Sequence, residues 1–211
     1  MFARLLIAIF CFCFSFQTLS QTLTISSATT SGSNWSLSGG VLTVTGTANI
    51  QASVIENALT TGNLSIVGTT TNLIVNVNQA ISSSAASSLT IGASSNTGNI
   101  TISSAISVGG SLSLYGGNLG LSANLTSTQS GTGQITVAAT GYIATNTNGL
   151  SFTTSGGAIL FTSDTDASNS GSIILERASF ASNGGNITLG GGNLTGSGYA
   201  VGMDYTLPNG A

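Results

Sequence analysis

The sequence predicts an all-β chain wound as a parallel β-solenoid, or β-helix, and three observations carry that prediction. The first is a recurring phrase: Gly, a small polar residue, an apolar residue, Ser or Thr, then another apolar residue. It reads Gly62-Asn63-Leu64-Ser65-Ile66, Gly98-Asn99-Ile100-Thr101-Ile102, Gly110-Ser111-Leu112-Ser113-Leu114, Gly133-Gln134-Ile135-Thr136-Val137 and Gly185-Asn186-Ile187-Thr188-Leu189. Looser copies begin at Gly40 and Ser88. Alternation of period two marks a short strand with one dry and one wet face. The second observation is spacing. The leading apolar residues Leu42, Leu64, Leu89, Leu112, Ile135 and Ile159 are 22, 25, 23, 23 and 24 residues apart. A steady period in the twenties is the mark of stacked turns that cannot bury their own faces singly. The third is a set of weaker strands within the turns, at Leu73, Ile100, Leu119, Leu150 and Ile173. Two or three strands per turn and about six or seven turns are expected. Leu64, Leu89, Leu112, Ile135 and Ile159 are expected to point inward and stack. Glycine is expected to supply the positive φ of each corner, with Asn tolerating the same region.

Residues 1–20 read as a secretory signal. Arg4 supplies the positive start, Leu5 to Phe16 the apolar run, and Thr18 and Ser20 the small residues before a cut after Ser20. The run is short for a membrane span, so no stable span is expected once it is removed. Both cysteines, Cys11 and Cys13, lie inside it, and the remaining chain cannot form a disulfide. Residues 21–211 are read as one solenoid domain. From Thr22 to Gly40 the repeat is weak. Trp35 suits either a lid over the first turn or an ordinary core position. Val41 to Leu160 is the regular body. Ile50, Val54, Ile55 and Leu59, with Glu56, have apolar spacing that permits one short helix, but none is assigned. Ser82 to Ser88 reads as a turn or loop. The step from Ile159 to Ile187 is 28, and the extra length falls at Ser163 to Ser170. Near the end, Tyr199, Val201, Met203, Tyr205 and Leu207 alternate as one more strand. That strand has no covering element after it, so self-association through the C-terminal edge is expected.

Composition excludes several functions. Hydrophobic residues make up 41% of the 211, enough for a core, and charged residues only 3%. His is absent, and the cations are Arg4 and Arg177 alone. No basic patch for nucleic acid can be built from this. A Ser–His–Asp site is impossible, and nucleophiles lack an activating base. Zinc has no soft ligands. Gly190-Gly191-Gly192 lacks the Lys of a phosphate loop. The carboxylate pair Asp164 and Asp166 is the remaining chemistry. Asp164, Asp166 and Ser168 occupy positions one, three and five of a calcium loop, but position twelve is Leu175 and the acid is Glu176. A solvated corner with Asx-turns is the plainer reading. Glu176 and Arg177 are adjacent and are expected on opposite faces of a strand. No other cofactor is expected.

Two polar patterns remain. Asn-X-Ser/Thr occurs at Asn34, Asn63, Asn99, Asn124, Asn186 and Asn193. These fall out of the repeat itself and are read as corner asparagines sharing hydrogen bonds along the stack. Thr43, Ser65, Thr90, Thr101, Ser113, Thr136, Ser151 and Thr188 are expected to form an outward hydroxyl row. Such an array suits a soluble wet face, and it can also bind a glycan or ice.

The Gly-Asn-Ile-Thr-Leu strands, the Ser163-Asp-Thr-Asp-Ala-Ser168 loop followed by Gly171-Ser-Ile-Ile-Leu175, and Asn183-Gly-Gly-Asn-Ile-Thr-Leu-Gly-Gly-Gly192 resemble filamentous-haemagglutinin-type adhesins and autotransporter passengers. The resemblance is one of repeat style and spans roughly Val41 to Gly202. It implies a right-handed parallel β-helix that is secreted or held at a bacterial cell surface. It also implies non-catalytic attachment to cells, matrix proteins or glycans. Such proteins are usually longer, so the chain could be the N-terminal part or another fragment of an exoprotein. The family's secretion motif Asn-Pro-Asn is not met, since the nearest string is Asn146-Thr-Asn148. Two alternatives stay open. A carbohydrate-active β-helix enzyme of the lyase or epimerase kind would have Arg177 as its single cation. An all-β sandwich binding module would use the Asn-Gly pairs at 148–149, 183–184 and 209–210 as hairpin turns.

Overall fold

The computed structural model describes residues 20–168 and 170–192. The expected leader, apart from Ser20, lies outside the described residues, as do Asn169, Asn193 and the alternating segment up to Leu207. The chain opens with β1 (Gln21–Ser26), β2 (Trp35–Ser38), β3 (Val41–Val44), β4 (Thr47–Gln51) and the helix α1 (Ala52–Thr61). Strands then follow in threes: β5 (Leu64–Gly68), β6 (Leu73–Val77) and β7 (Ile81–Ser83), then β8 (Leu89–Ile91), β9 (Ile100–Ile102) and β10 (Ile106–Val108). The next threes are β11 (Leu112–Gly116), β12 (Leu119–Leu121) and β13 (Leu125–Ser127), then β14 (Ile135–Ala139), β15 (Ile143–Thr145) and β16 (Ser151–Thr154). The last are β17 (Ile159–Ser163), β18 (Ile173–Ile174), β19 (Ser179–Ala181) and β20 (Ile187–Gly191).

These strands form a parallel β-solenoid of about seven turns with three sheets. Sheet A runs β18-β15-β12-β9-β6-β1-β4, sheet B runs β2-β3-β5-β8-β11-β14-β17-β20, and sheet C runs β19-β16-β13-β10-β7. Each regular turn visits B, A and C in that order. The antiparallel hairpins of a sandwich are excluded as the main pairing, because every strand pair but β2–β3 is parallel. The Asn-Gly pairs 148–149 and 183–184 serve as corners between sheets C and A or B, with Gly149 and Asn183 at positive φ, and join no hairpin.

The repeat sets the register. Leu64, Leu89, Leu112, Ile135 and Ile159 pair in one file, and all five are buried. Leu42 sits opposite Ile66 instead of Leu64, because the first turn is offset by two residues. Sheet A stacks Val75, Ile100, Leu119, Ile143 and Ile173, and sheet C stacks Ile81, Ile106, Leu125, Phe152 and Phe180. Leu150 immediately precedes sheet C strand β16 rather than opening a strand itself. Toward the last turns the core changes from aliphatic to aromatic: Phe152, Phe161 and Phe180 lie with ring centroids 4.9–5.2 Å apart. Offset and edge contacts at this range add to the area they bury.

Three local expectations are corrected. Ser82 and Ser83 belong to β7, so the small-residue loop starts after them. The unassigned helix forms as α1, with Ala52, Ile55 and Leu59 buried along one stripe. Its Val, Ile and Thr content gives poor intrinsic propensity, and packing of the apolar stripe decides the outcome. The repeat glycines also divide between two parts, since Gly40 and Gly62 have the positive φ expected of them and others do not. Gly110, Gly133, Gly157 and Gly185 have no positive φ. They stand in a column instead. A Cβ on Gly157 would overlap the Gly133 carbonyl, and one on Gly185 would overlap the Gly157 carbonyl. Before Gly133, Gly157 and Gly185 the positive φ is taken by Gly131, by Gly156 and by Asn183 with Gly184.

The N-terminal end is closed on all three sheets. β2 pairs antiparallel with β3 through the Gly39-Gly40 turn, where both glycines have positive φ. Trp35 on β2 is half-buried against the core, which is the lid position. Ser31 pairs with Asn49 on the free edge of β4. α1 packs beside β7, and the Ser82 amide donates to Glu56 Oε1 at 2.8 Å. Covered edges of this kind prevent pairing with other chains. At the other end Ile187 and Leu189, in the inward file of sheet B, are 46% and 47% exposed.

The glycine column predicts an order of substitutions. Gly157→Ala is expected to cost about 3 kcal/mol through overpacking against backbone that cannot move aside. Gly131→Ala, which meets open space at positive φ, is expected to cost about 1 kcal/mol. Urea unfolding of the two variants checks the order.

Candidate functional site

Three places hold the polar groups that sequence reading singled out: the outer sheet faces, the corners and the loop after β17. On sheet B, Ser65, Thr90, Ser113 and Thr136 pair directly and form an unbroken outward row across four turns. The row ends there, because Leu160 stands between Thr136 and Thr188. Thr43 lies beside Val67 and is out of line. Thr101 belongs to sheet A, between Asn76 and Gly120, and Ser151 to sheet C. The single row expected is therefore divided. A second row was not foreseen: Ser82, Ser107, Thr126 and Thr153 align on the outer face of sheet C. Sheet C strands are mostly three residues long, and Ile81, Ile106 and Leu125 do not follow the Gly-led phrase that marks Ile100. Neighbouring hydroxyls in either row are one strand spacing apart, roughly 4.8 Å.

Corners are tied by side chains reaching to the next turn. Before sheet B strands, Ser88 N donates to Asn63 Oδ1 (2.8 Å), Ser111 N to Ser88 Oγ (3.0 Å) and Gln134 N to Ser111 Oγ (3.1 Å). Before sheet A strands, Asn118 Nδ2 donates to Asn99 Oδ1 (3.1 Å), and Tyr142 N to Asn118 Oδ1 (3.0 Å). Ser151 N donates to Asn124 Oδ1 at 2.8 Å. Asn34 Nδ2 donates to the Thr47 carbonyl at 3.0 Å. The corner residues thus bond along the stack as expected. The common form is a side-chain oxygen accepting a backbone N–H, and Ser serves as well as Asn. Asn99 with Asn118 is the one amide-to-amide pair among these bonds.

The loop after β17 is organised by Asp164, which is 1% exposed and sits at φ 53°. Its Oδ1 accepts from Ser168 Oγ (3.2 Å) and Ser170 N (3.4 Å). Asp166 is exposed and accepts Ser168 N at 3.3 Å, an Asx-turn. Both carboxylates thus hold the loop's own donors. Among the described residues no three His, Cys, Asp or Glu side chains gather as a metal cluster. Glu176 and Arg177 do not lie on a strand as expected. They occupy the exposed connection between β18 and β19, with Arg177 at φ 48°.

An open cleft of about 220 Å³ lies where turns two and three leave sheet B, lined by Thr69, Thr70, Thr71 and Ser95 with Asn96 at its floor. Sequence reading missed Asn96, which resembles any other loop Asn. Its Oδ1 accepts from Leu73 N (2.9 Å) and Gly98 N (3.2 Å). Its Nδ2 donates to the carbonyls of Leu73 (3.1 Å) and Tyr115 (3.0 Å). One buried amide therefore joins three successive turns.

Compared with known protein families, with curated proteins and with solved structures, the chain matches none.

Removing Asn96 leaves buried backbone groups unpaired, so Asn96→Ala is expected to cost about 3 kcal/mol. Asp166→Ala, at an exposed turn, is expected to stay within about 0.5 kcal/mol. Equilibrium unfolding in urea measures both.

Proposed function

We propose that this chain is a secreted or cell-surface adhesive solenoid that acts by binding and carries out no chemical step. The observation that carries the reading is the pair of in-register hydroxyl rows on the outer faces of sheets B and C. A parallel stack holds these donors and acceptors at a fixed spacing along a rigid face. Such a face suits repeating polar partners, a surface glycan above all, since sugars offer hydroxyls in return. The low charge supports the same reading, because contacts through neutral hydroxyls do not depend on salt as phosphate contacts would. The signal-like residues 1–20 and the resemblance to haemagglutinin-type repeats agree with export. Exposed Ile187 and Leu189 on β20 support self-association there as a second contact.

The test is attachment of protein-coated beads to bacterial and host cells. The paired substitution Ser107→Lys and Thr126→Lys, on the wet face of sheet C, is expected to cut attachment at least tenfold while leaving the circular dichroism unchanged. Attachment that survives both changes contradicts the row as the contact. Incubation with plant and bacterial polysaccharides is expected to release no fragments. Cleavage that disappears in Asp164→Asn would instead establish the lyase alternative.

A further inference from the structure

Strand β1 is out of order. Elsewhere in the three sheets, parallel neighbours are strands one turn apart. β1 lies between β4 and β6, both of which follow it in the chain. In sheet B the same two turns touch directly, β3 on β5. In sheet A they stand two strand spacings apart, roughly 9.6 Å. In that first turn α1 stands in the place of a sheet C strand, beside β7. The gap is therefore built into the fold, and a strand of separate origin fills it.

The gap has the features of a recognition site. Along β1, residues Thr22 to Ser26 pair with Thr47 to Gln51, and Gln21 to Ile25 pair with Leu73 to Val77. Leu23 is held between Ala48 and Val75, and Ile25 between Ile50 and Val77, all buried. Polar groups fix both ends. Gln21, 2% exposed, donates from Nε2 to Thr69 Oγ1 and accepts the Thr70 amide at 3.2 Å. Ser26 Oγ donates to Asn49 Oδ1 at 2.8 Å. Main-chain pairing on both edges supplies affinity and alternate side-chain pockets supply selectivity, as in other strand-addition sites. Among the described residues, β1 is followed by the connection 27–34 and makes all its strand pairs with β4 and β6. Pairing of β3 with β5, and of α1 with β7, does not depend on it.

We propose that the gap between β4 and β6 is a strand-acceptor site. Its ligand is an extended parallel peptide with the alternation of Gln21–Ser26, and a second copy of the chain supplies that strand when the chain's own cannot reach. This exchange is independent of the adhesive reading and uses a different face of the molecule.

The experiment uses the full chain with a protease site inserted between Ser27 and Ala28, both exposed. After cleavage, a fluorescent peptide spanning Gln21–Ser27 is added. The nicked protein is expected to take up one peptide per chain, in competition with unlabelled peptide. Uncut protein takes up none. The peptide carrying Leu23→Asp and Ile25→Asp is expected to bind at least about 100-fold more weakly. Should nicking unfold the protein, the peptide is expected to restore the fold. Uptake indifferent to the Asp substitutions, a folded nicked protein that takes up no peptide, or unfolding that the peptide does not reverse overturns the site. A second variant, with residues 28–33 deleted, keeps β1 from folding back on its own chain. It is expected to form dimers that the peptide converts to monomers. A folded monomer, or aggregates unaffected by the peptide, overturns the second copy as the source.

Discussion

Successive turns of this chain, apart from β4 and β6 with β1 between them, approach one another at the distance of paired parallel strands, and they do so at the corners as well as along the sheets. A sheet alone demands only that backbones pair. Corners demand that two loops stack with nothing between them. That is why Gly157 lies against the Gly133 carbonyl and Gly185 against that of Gly157. It is also why the residue after each such glycine is so often Asn, Ser or Gln. At that distance a short side chain reaches the amide of the next turn, as from Asn63 through Ser88 and Ser111 to Gln134. The recurring phrase is the record of this spacing: glycine for closeness, a short acceptor for the tie, an apolar residue for the core, a hydroxyl for water.

The same constraint explains how the chain dispenses with charge. Net charge and mixed surface ions normally oppose association. Here the strand edges at the N-terminal end are occupied instead, by β2, by Ser31 and by α1. Growth of a head-to-tail filament needs an open edge at each end of the molecule. Among the described residues, the N-terminal end offers such growth no unpaired strand edge.

The periodic body was legible in the sequence because its sheet B strands recur at a steady spacing and most, such as Leu112–Gly116, are long enough to alternate. Leu64, Leu89, Leu112, Ile135 and Ile159 pair in the file expected of them. What was not legible is what departs from periodicity. Sheet C strands such as Ile106–Val108 are short and lack the Gly-led phrase. α1 rests on tertiary packing that outweighs its propensity. Nothing in Gln-Thr-Leu-Thr-Ile-Ser says that it will enter between two later strands. The Gly39-Gly40 hairpin was readable, since two glycines divide alternating segments, but the repeat-like Val41 to Val44 drew attention to stacking instead. Of the site, the carboxylates and the sheet B hydroxyls could be named in advance. Asn96 and the sheet C row depend on which turns lie next to each other.

Stacking at one strand spacing per turn is most directly tested by distances along a single outward row. Nitroxide labels placed in pairs at Ser65 with Thr136, Leu160 or Thr188 span three, four and five strand spacings in the sheet B file. The expected separations between attachment points are roughly 14, 19 and 24 Å, a constant increment of one strand spacing. Pulsed electron-spin resonance, with continuous-wave broadening for the shortest pair, reads them. Separations that fail to rise by that increment from pair to pair would contradict the stacked-turn account.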